Sequence, residues 1–149
     1  LDAGTTTERM IEYIQTTKAV FVTNAISHAK LLSEKGCRVY ILGGEVKSQT
    51  EAIVGEEAME TLDKYDFTKG FWGTNGISVS KGFSTPELKE AMVKKKSMAN
   101  CKKCYVLADA SKFDQMSSVK FADFEQATII TTELKKPALK KYKNIVEVK

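Results

Sequence analysis

The sequence predicts an α/β fold: a mainly parallel sheet with helices on both faces. Two observations carry this. Short apolar runs at residues 19–22, 39–42, 67–72, 104–108, 127–130 and 145–148 alternate with segments of helical period. Strands alternating with helices imply βαβ units. The polar and glycine-rich stretches also share one location. Residues 2–7, 23–24, 43–45, 73–76 and 109–112 each follow the carboxyl end of an apolar run. In an open parallel sheet those ends gather on one edge, where ligands bind.

The chain opens on Leu1-Asp2-Ala3-Gly4-Thr5-Thr6-Thr7, a strand end running into glycine and three hydroxyls. Met10, Ile11 and Ile14 share a helical face. Thr5 and Glu8 have the spacing of a capping box, so a helix is expected to begin near Thr5. Glycine lets an anion approach the backbone, and the N–H groups of a first helical turn point at it. The segment therefore reads as a phosphate cradle. An ordinary capped turn has the same letters.

The later elements follow in order. Residues 19–22 form a short apolar run and read as a buried strand. A helix with Ile26, Ala29 and Leu32 on one side stops at Gly36. The strand at 39–42 ends at Gly43-Gly44. Residues 46–54 are mixed and hold one or two irregular strands. Residues 55–63 are helical, with Ala58, Met59 and Leu62 on one side. The strand at 67–72 runs into Gly73-Thr74-Asn75-Gly76. A helix then starts at Ser84-Thr85-Pro86-Glu87, with Thr85 as N-cap and Pro86 at the first helical position. After the strand ending at Ala108-Asp109 comes a loop through Phe124, then the strand at 127–130. A short helix after Leu134 and a strand at 145–148 close the pattern.

A chain of 149 residues is one domain of common size, spanning 1–149, and can bury a substantial core. Its start on a strand end suggests a piece lacking an N-terminal portion, so the absence of a targeting segment says little. No apolar run is long enough to span a membrane. The net charge of +4 comes mostly from lysines, clustered at 94–96, 102–103, 135–136 and 140–141. These read as solvated helix faces and ends, since aromatic interleaving and a recognition helix are missing. The three cysteines point to a reducing compartment, hence the cytoplasm. Cys101 and Cys104 form C-x-x-C without a second pair, and His28 is the only histidine, so no metal site is expected. No serine–histidine–acid set can be assembled, and no catalytic residues or cofactors are assigned.

Lys112, just beyond a buried strand, can pair with a phosphate or carboxylate as a point charge, although an exposed loop lysine is equally natural. Glu87 and Glu90 lie in a first helical turn on the same edge. They can serve in proton transfer on a sugar or simply suit the helix dipole.

These segments form an ordered set: Asp2-Ala3-Gly4-Thr5-Thr6-Thr7, Val22-Thr23-Asn24, Leu42-Gly43-Gly44-Glu45, Val54-Gly55, Gly73-Thr74-Asn75-Gly76-Ile77, Gly82-Phe83-Ser84-Thr85-Pro86-Glu87 and Ala108-Asp109-Ala110-Ser111-Lys112-Phe113. Together they resemble the C-terminal effector-sensing domain of the DeoR family of bacterial transcriptional repressors, over essentially the whole chain. The resemblance implies a fold similar to ribose-5-phosphate isomerase, glucosamine-6-phosphate deaminase and CoA transferases. It implies a phosphorylated sugar or related metabolite as inducer, and a homo-oligomer. Operator DNA would be met only through an N-terminal winged helix-turn-helix that this sequence does not contain. Carried over by motif, Gly4, Thr5, Thr6, Thr7 and Lys112 hold the phosphate. Asp2, Thr23, Asn24, Gly43, Asn75, Gly76 and Glu87 line the sugar end. The enzyme relatives carry acids in the turn matching residues 73–76, and this chain has none there. That departure favours a sensor over the alternative, a sugar-phosphate isomerase or deaminase.

Overall fold

The structure is a computed structural model and describes residues 1–16 and 18–149. Its elements are α1 (Thr5–Ile11), β1 (Val20–Thr23), α2 (Ile26–Glu34), β2 (Arg38–Ile41), β3 (Glu45–Val46), β4 (Ile53–Val54), α3 (Glu56–Leu62), β5 (Phe67–Trp72), β6 (Gly76–Ser78), β7 (Gly82–Thr85), α4 (Leu88–Ala99), β8 (Cys101–Leu107), β9 (Val119–Ala122), β10 (Thr128–Thr131) and β11 (Ile145–Glu147). Short 3₁₀ turns lie at Ala110–Lys112, Phe124–Gln126 and Pro137–Lys141.

Two parallel pieces form the main layer. One is four-stranded, in the order β11-β10-β8-β5, and the other pairs β1 with β2. Leu1 and Asp2 stand between them. The Leu1 ammonium donates to the Val22 carbonyl at 2.8 Å. The Asp2 N–H donates to the Phe71 carbonyl at 2.9 Å. The expected parallel α/β sheet is therefore present, and helices cover both faces. Alternation along β1 shows this: Phe21 packs with Ile11, Leu32 and Cys37, while its neighbour Val22 packs with Leu42, Val54, Leu62 and Val93.

The largest core cluster lies between the four-stranded sheet and a second sheet. Trp72, Val106 and Ile129 meet Phe83, Phe121 and Phe124 there. The Phe83 ring stacks near Phe121 and Phe124, with centroids 6.1 and 6.4 Å apart.

That second sheet, antiparallel in the order β6-β7-β9, was not legible in the sequence. Residues 82–85 read as the approach to a helix, yet they form β7. Thr85, expected as N-cap, is the last residue of that strand; Glu87 is the N-cap of α4, so Pro86 precedes the helix and does not open it. The residues 109–124 read as loop contain β9, a four-residue strand whose pairing with β7 shifts register between Phe83 and Ser84. A strand this short, interrupted by a bulge, offers little periodicity to read. The segment after Leu134 forms a 3₁₀ turn. The mixed segment 46–54 holds the hairpin β3–β4. Gly44, at φ +144°, leads into that hairpin, and a Cβ there would sit 2.7 Å from the Val54 carbonyl oxygen. Only glycine fits.

Candidate functional site

The site is built on the carboxyl ends of the parallel strands. Asp2, expected on the sugar end, is 7% exposed and forms an ion pair with Lys94 of α4. The Gly73 N–H donates to Asp2 Oδ2 at 3.2 Å, and Lys94 Nζ donates to the Gly73 carbonyl at 3.1 Å. Lys94 also lies 5.4 Å from the centroid of the Phe121 ring. This buried triangle locks the Asp2 turn to the Gly73 turn. Lys94 is the principal residue that sequence reasoning missed, because it stands in a lysine run read as solvated. A signal existed: Lys94 is three residues after Ala91 and four before Met98, and both are buried. All three therefore share the inner face of α4.

The first turn of α1 carries no cap. Gly4 is the N-cap, and its side-chain-free position makes no capping bond. The expected capping box is absent, because the Glu8 carboxylate accepts from Ser27 Oγ at 2.8 Å. Backbone pairing starts with Glu8 N–H to the Gly4 carbonyl at 3.0 Å, so the N–H groups of Thr5, Thr6 and Thr7 have no acceptor among the described residues. Gly4 has φ 163°, an extended backbone open to any residue. A Cβ there would meet only Thr7 Oγ1 at 3.5 Å. The fold itself therefore does not demand glycine at this position.

Several expected contact residues brace the turn. Thr7 is fully buried, and its hydroxyl lies 2.7 Å from the Asp2 carbonyl and 3.0 Å from the Gly4 carbonyl. Its hydroxyl proton goes to the turn's own backbone, while its N–H stays among the unpaired donors of the turn. Thr23 Oγ1 donates to the Leu1 carbonyl at 2.6 Å and accepts from the Ala25 N–H. Asn24 accepts from the Ala3 N–H at 2.9 Å and donates to the Ile53 carbonyl at 3.3 Å. Both side chains are buried fasteners between the first turn and its neighbours. Gly76 belongs to β6, and a Cβ there would run into Gln115 and Ser84, so its smallness serves packing. His28 is buried beneath the cradle with Nε2 3.1 Å from the Gly4 carbonyl. Burial lowers its pKa, against the Gly4 hydrogen bond and the Glu8 carboxylate, which raise it.

Other expected residues remain at the surface of this edge. Thr5 and Thr6 are exposed, as are Gly43 and Asn75. Asn75 accepts from Thr85 Oγ1 at 3.1 Å. Glu87 forms an ion pair with Lys47 of the β3–β4 hairpin, and Lys47 also lies 3.6 Å from Glu90. Sequence reasoning missed Lys47 because a hairpin loop gives no periodicity to mark it. Lys112 sits in the 3₁₀ turn that Asp109 caps through the Ser111 N–H at 2.8 Å. Among the described residues no hydrogen bond or ion pair ties Lys112 to the Asp2 group.

Among the described residues, no group of three or more His, Cys, Asp or Glu is placed to hold a metal ion. No helix there is long and apolar enough to cross a membrane. The cysteines are free thiols, and burial pushes Cys104 up to about 12. A thiol that weakly acidic is a poor nucleophile at neutral pH.

Comparison with known proteins matches residues 1–133 to the model of the DeoR C-terminal sensor domain. The chain is 44% identical over 150 residues to the uncharacterized HTH-type transcriptional regulator FruR of Bacillus subtilis, covering all of this chain and 60% of that protein. It is 31% identical over 153 residues to the lactose phosphotransferase system repressor of Streptococcus mutans, covering 98% of this chain and 61% of that one. It is 32% identical over 133 residues to the HTH-type transcriptional regulator GlpR of Haloferax volcanii, covering 89% and 52%. The chain thus spans little more than half the length of these relatives.

Proposed function

The chain belongs to the DeoR C-terminal sensor domain family, and from that premise we propose that it senses a phosphorylated sugar for a transcriptional repressor. The observation that carries this reading is the uncapped first turn of α1. Three N–H groups point out of a turn whose backbone is fastened from below by Thr7, Thr23, Asn24 and the Asp2–Lys94 pair. Donors held rigid before binding need no ordering when an anion arrives. Gly4, Thr5, Thr6 and the Thr7 N–H are the phosphate contacts in this reading, with Lys112 supplying a positive charge from the neighbouring 3₁₀ turn. Gly43, Asn75 and Glu87 offer polar groups to sugar hydroxyls.

The chemistry is that of binding. General catalysis on a sugar needs a positioned acid or base. Asp2 is committed to Lys94 and Gly73, and residues 73–76 contain no acid. The relatives named above are regulators or repressors. Operator DNA is met through a helix-turn-helix module outside these residues, and the sensor acts as part of a homo-oligomer in the cytoplasm. The ligand shifts DNA binding only through its different affinity for two arrangements of that assembly.

Thermal shift with a panel of sugar phosphates tests the reading. A ligand at a hundred times its dissociation constant stabilises the fold by about 2.7 kcal/mol. A phosphorylated sugar should raise the melting temperature, while its unphosphorylated parent and inorganic phosphate should do much less. Equal shifts for sugar and sugar phosphate would remove the phosphate cradle, and steady consumption of the ligand would revive the isomerase or deaminase reading.

A further inference from the structure

The hairpin β3–β4 brings Lys47 to two carboxylates at the start of α4. Its ammonium forms an ion pair with Glu87 and lies 3.6 Å from Glu90. We propose that Lys47, Glu87 and Glu90 form a selectivity subsite at the sugar end of the ligand edge, one that takes hydroxyl groups and turns away a second anionic group. Resting on the phosphate-cradle reading above, the subsite restricts the ligand's other end. It takes a sugar monophosphate, and neither a bisphosphate nor a phosphorylated sugar acid.

Backbone bonds hold the hairpin in place. The Lys47 N–H donates to the Ala52 carbonyl and the Glu51 N–H to the Lys47 carbonyl, each at 2.8 Å. The Ile53 N–H donates to the Asn24 carbonyl at 2.7 Å. Asn24 is the same residue whose side chain accepts from the Ala3 N–H of the first turn. On the other flank Thr85, two residues before Glu87, donates to Asn75. The three charges are thereby tied to the Asn24 corner of the edge through the hairpin, and to the Asn75 corner through β7.

The charge count decides what the subsite accepts. Two carboxylates share one ammonium, so one negative charge is left over. Lys89 does not cancel it, because its ammonium is paired with Glu45 at 3.1 Å. Thr50 Oγ1 adds a neutral donor to Glu90 at 3.2 Å. The Lys47, Glu87 and Glu90 side chains are 22, 33 and 18% exposed, so water screens them less than it would on an open surface.

A part-buried carboxylate with surplus charge is satisfied by O–H or N–H donors. Sugar hydroxyls supply them. A second phosphate or a carboxylate brings acceptors and more negative charge, and like charges set side by side discriminate strongly against the wrong partner. Lys47 tempers this preference. Removing its charge leaves two carboxylates unopposed, whereas removing the charge of Glu90 balances the cluster. Opposite effects of two substitutions in one cluster are the mark of electrostatic selection, since lost packing would weaken every ligand alike.

Calorimetry tests the subsite with fructose 1-phosphate, fructose 6-phosphate and fructose 1,6-bisphosphate, and with glucose 6-phosphate and glucose 1,6-bisphosphate. The better monophosphate of either sugar should bind at least tenfold more tightly than the corresponding bisphosphate. Glu90→Gln, which keeps an acceptor for Thr50, should shrink that ratio several-fold, and Lys47→Met should enlarge it. Glu87→Gln repeats the first arm should Glu90→Gln fail to fold. A bisphosphate that binds as tightly as the monophosphate would overturn the inference and leave the sensor reading standing. So would variants that leave the ratio unchanged or move it the other way. Binding by none of the five compounds would remove the cradle reading and the subsite together.

Discussion

Lys94 shows how one side chain can organise a site. With Asp2 it forms a buried pair to which the Gly73 N–H and carbonyl each add a hydrogen bond. Removing one partner of such a pair leaves an uncompensated charge and costs about 3–5 kcal/mol. Lys94→Ala should therefore lose stability of that order in urea unfolding. Combined with Asp2→Asn, the loss should fall well short of the sum of the single losses, since the two residues are coupled. Strict additivity would show that the pair does not act as a unit.

His28 supplies a second residue-scale expectation. Its folded pKa lies below the ordinary 6.5, chiefly through burial, while the Gly4 carbonyl, Glu8 and Asp2 oppose the shift. The unfolded chain then binds the proton more readily, so stability is whole above pH 6.5 and is lost as pH falls through the folded pKa. His28→Gln should flatten the acid side of the stability–pH curve, measured by chemical unfolding between pH 5 and 8. An unchanged slope would show that His28 does not shape the acid side of the curve.

At the scale of elements, the hairpin β3–β4 and the first turn of α1 do different work. The hairpin carries Lys47 to Glu87 and Glu90, tying a short excursion back onto α4. Its entry depends on Gly44, whose positive φ and close carbonyl contact exclude a side chain. Gly44→Ala should cost about 1–3 kcal/mol, the range for a residue held in a sparsely populated backbone region. Gly4→Ala should cost much less, because Gly4 is extended and spacious. Comparing the two melting temperatures separates a glycine kept for backbone geometry from one kept open at a binding edge. A large loss for Gly4→Ala would erase that distinction.

Across the whole molecule, stability should be uneven. β8 and β10 each have a strand on both sides and lie against the aromatic core cluster. β1 and β2 form a separate pair, backed by a small cluster around Ile11 and Leu32 and held to the rest by two residues of backbone and the cluster of Val22, Leu42, Val54, Leu62 and Val93. Local opening follows the number of buried contacts. Amides of β8 and β10 should be the slowest to exchange, with those of β1 and β2 faster by several orders of magnitude at neutral pH. Uniform protection across the chain would mean the two parallel pieces open as one.

The sequence by itself determined the parallel α/β class and the order of the parallel strands and main helices, though β1, read as buried, is partly exposed in the structure and β2 largely so. Those follow from local rules: apolar run length, helical period and glycine after a strand are all written in neighbouring residues. It also marked the Asp2–Thr7 turn as the place where backbone donors are exposed. The antiparallel sheet needed the tertiary structure, because Phe83 and Phe121 are 38 residues apart and neither strand is long enough to announce itself. The division of labour within the site needed it too. Thr7, Thr23 and Asn24 carry the same polar letters as Thr5 and Thr6, yet burial turns the first group inward and leaves the second exposed. Lys94 is chemically identical to its neighbours Lys95 and Lys96, and only the packing of α4 sets it beside Asp2. Composition and periodicity record what a residue is and which face it shares; which partner it meets depends on chain segments distant in sequence that only folding brings together.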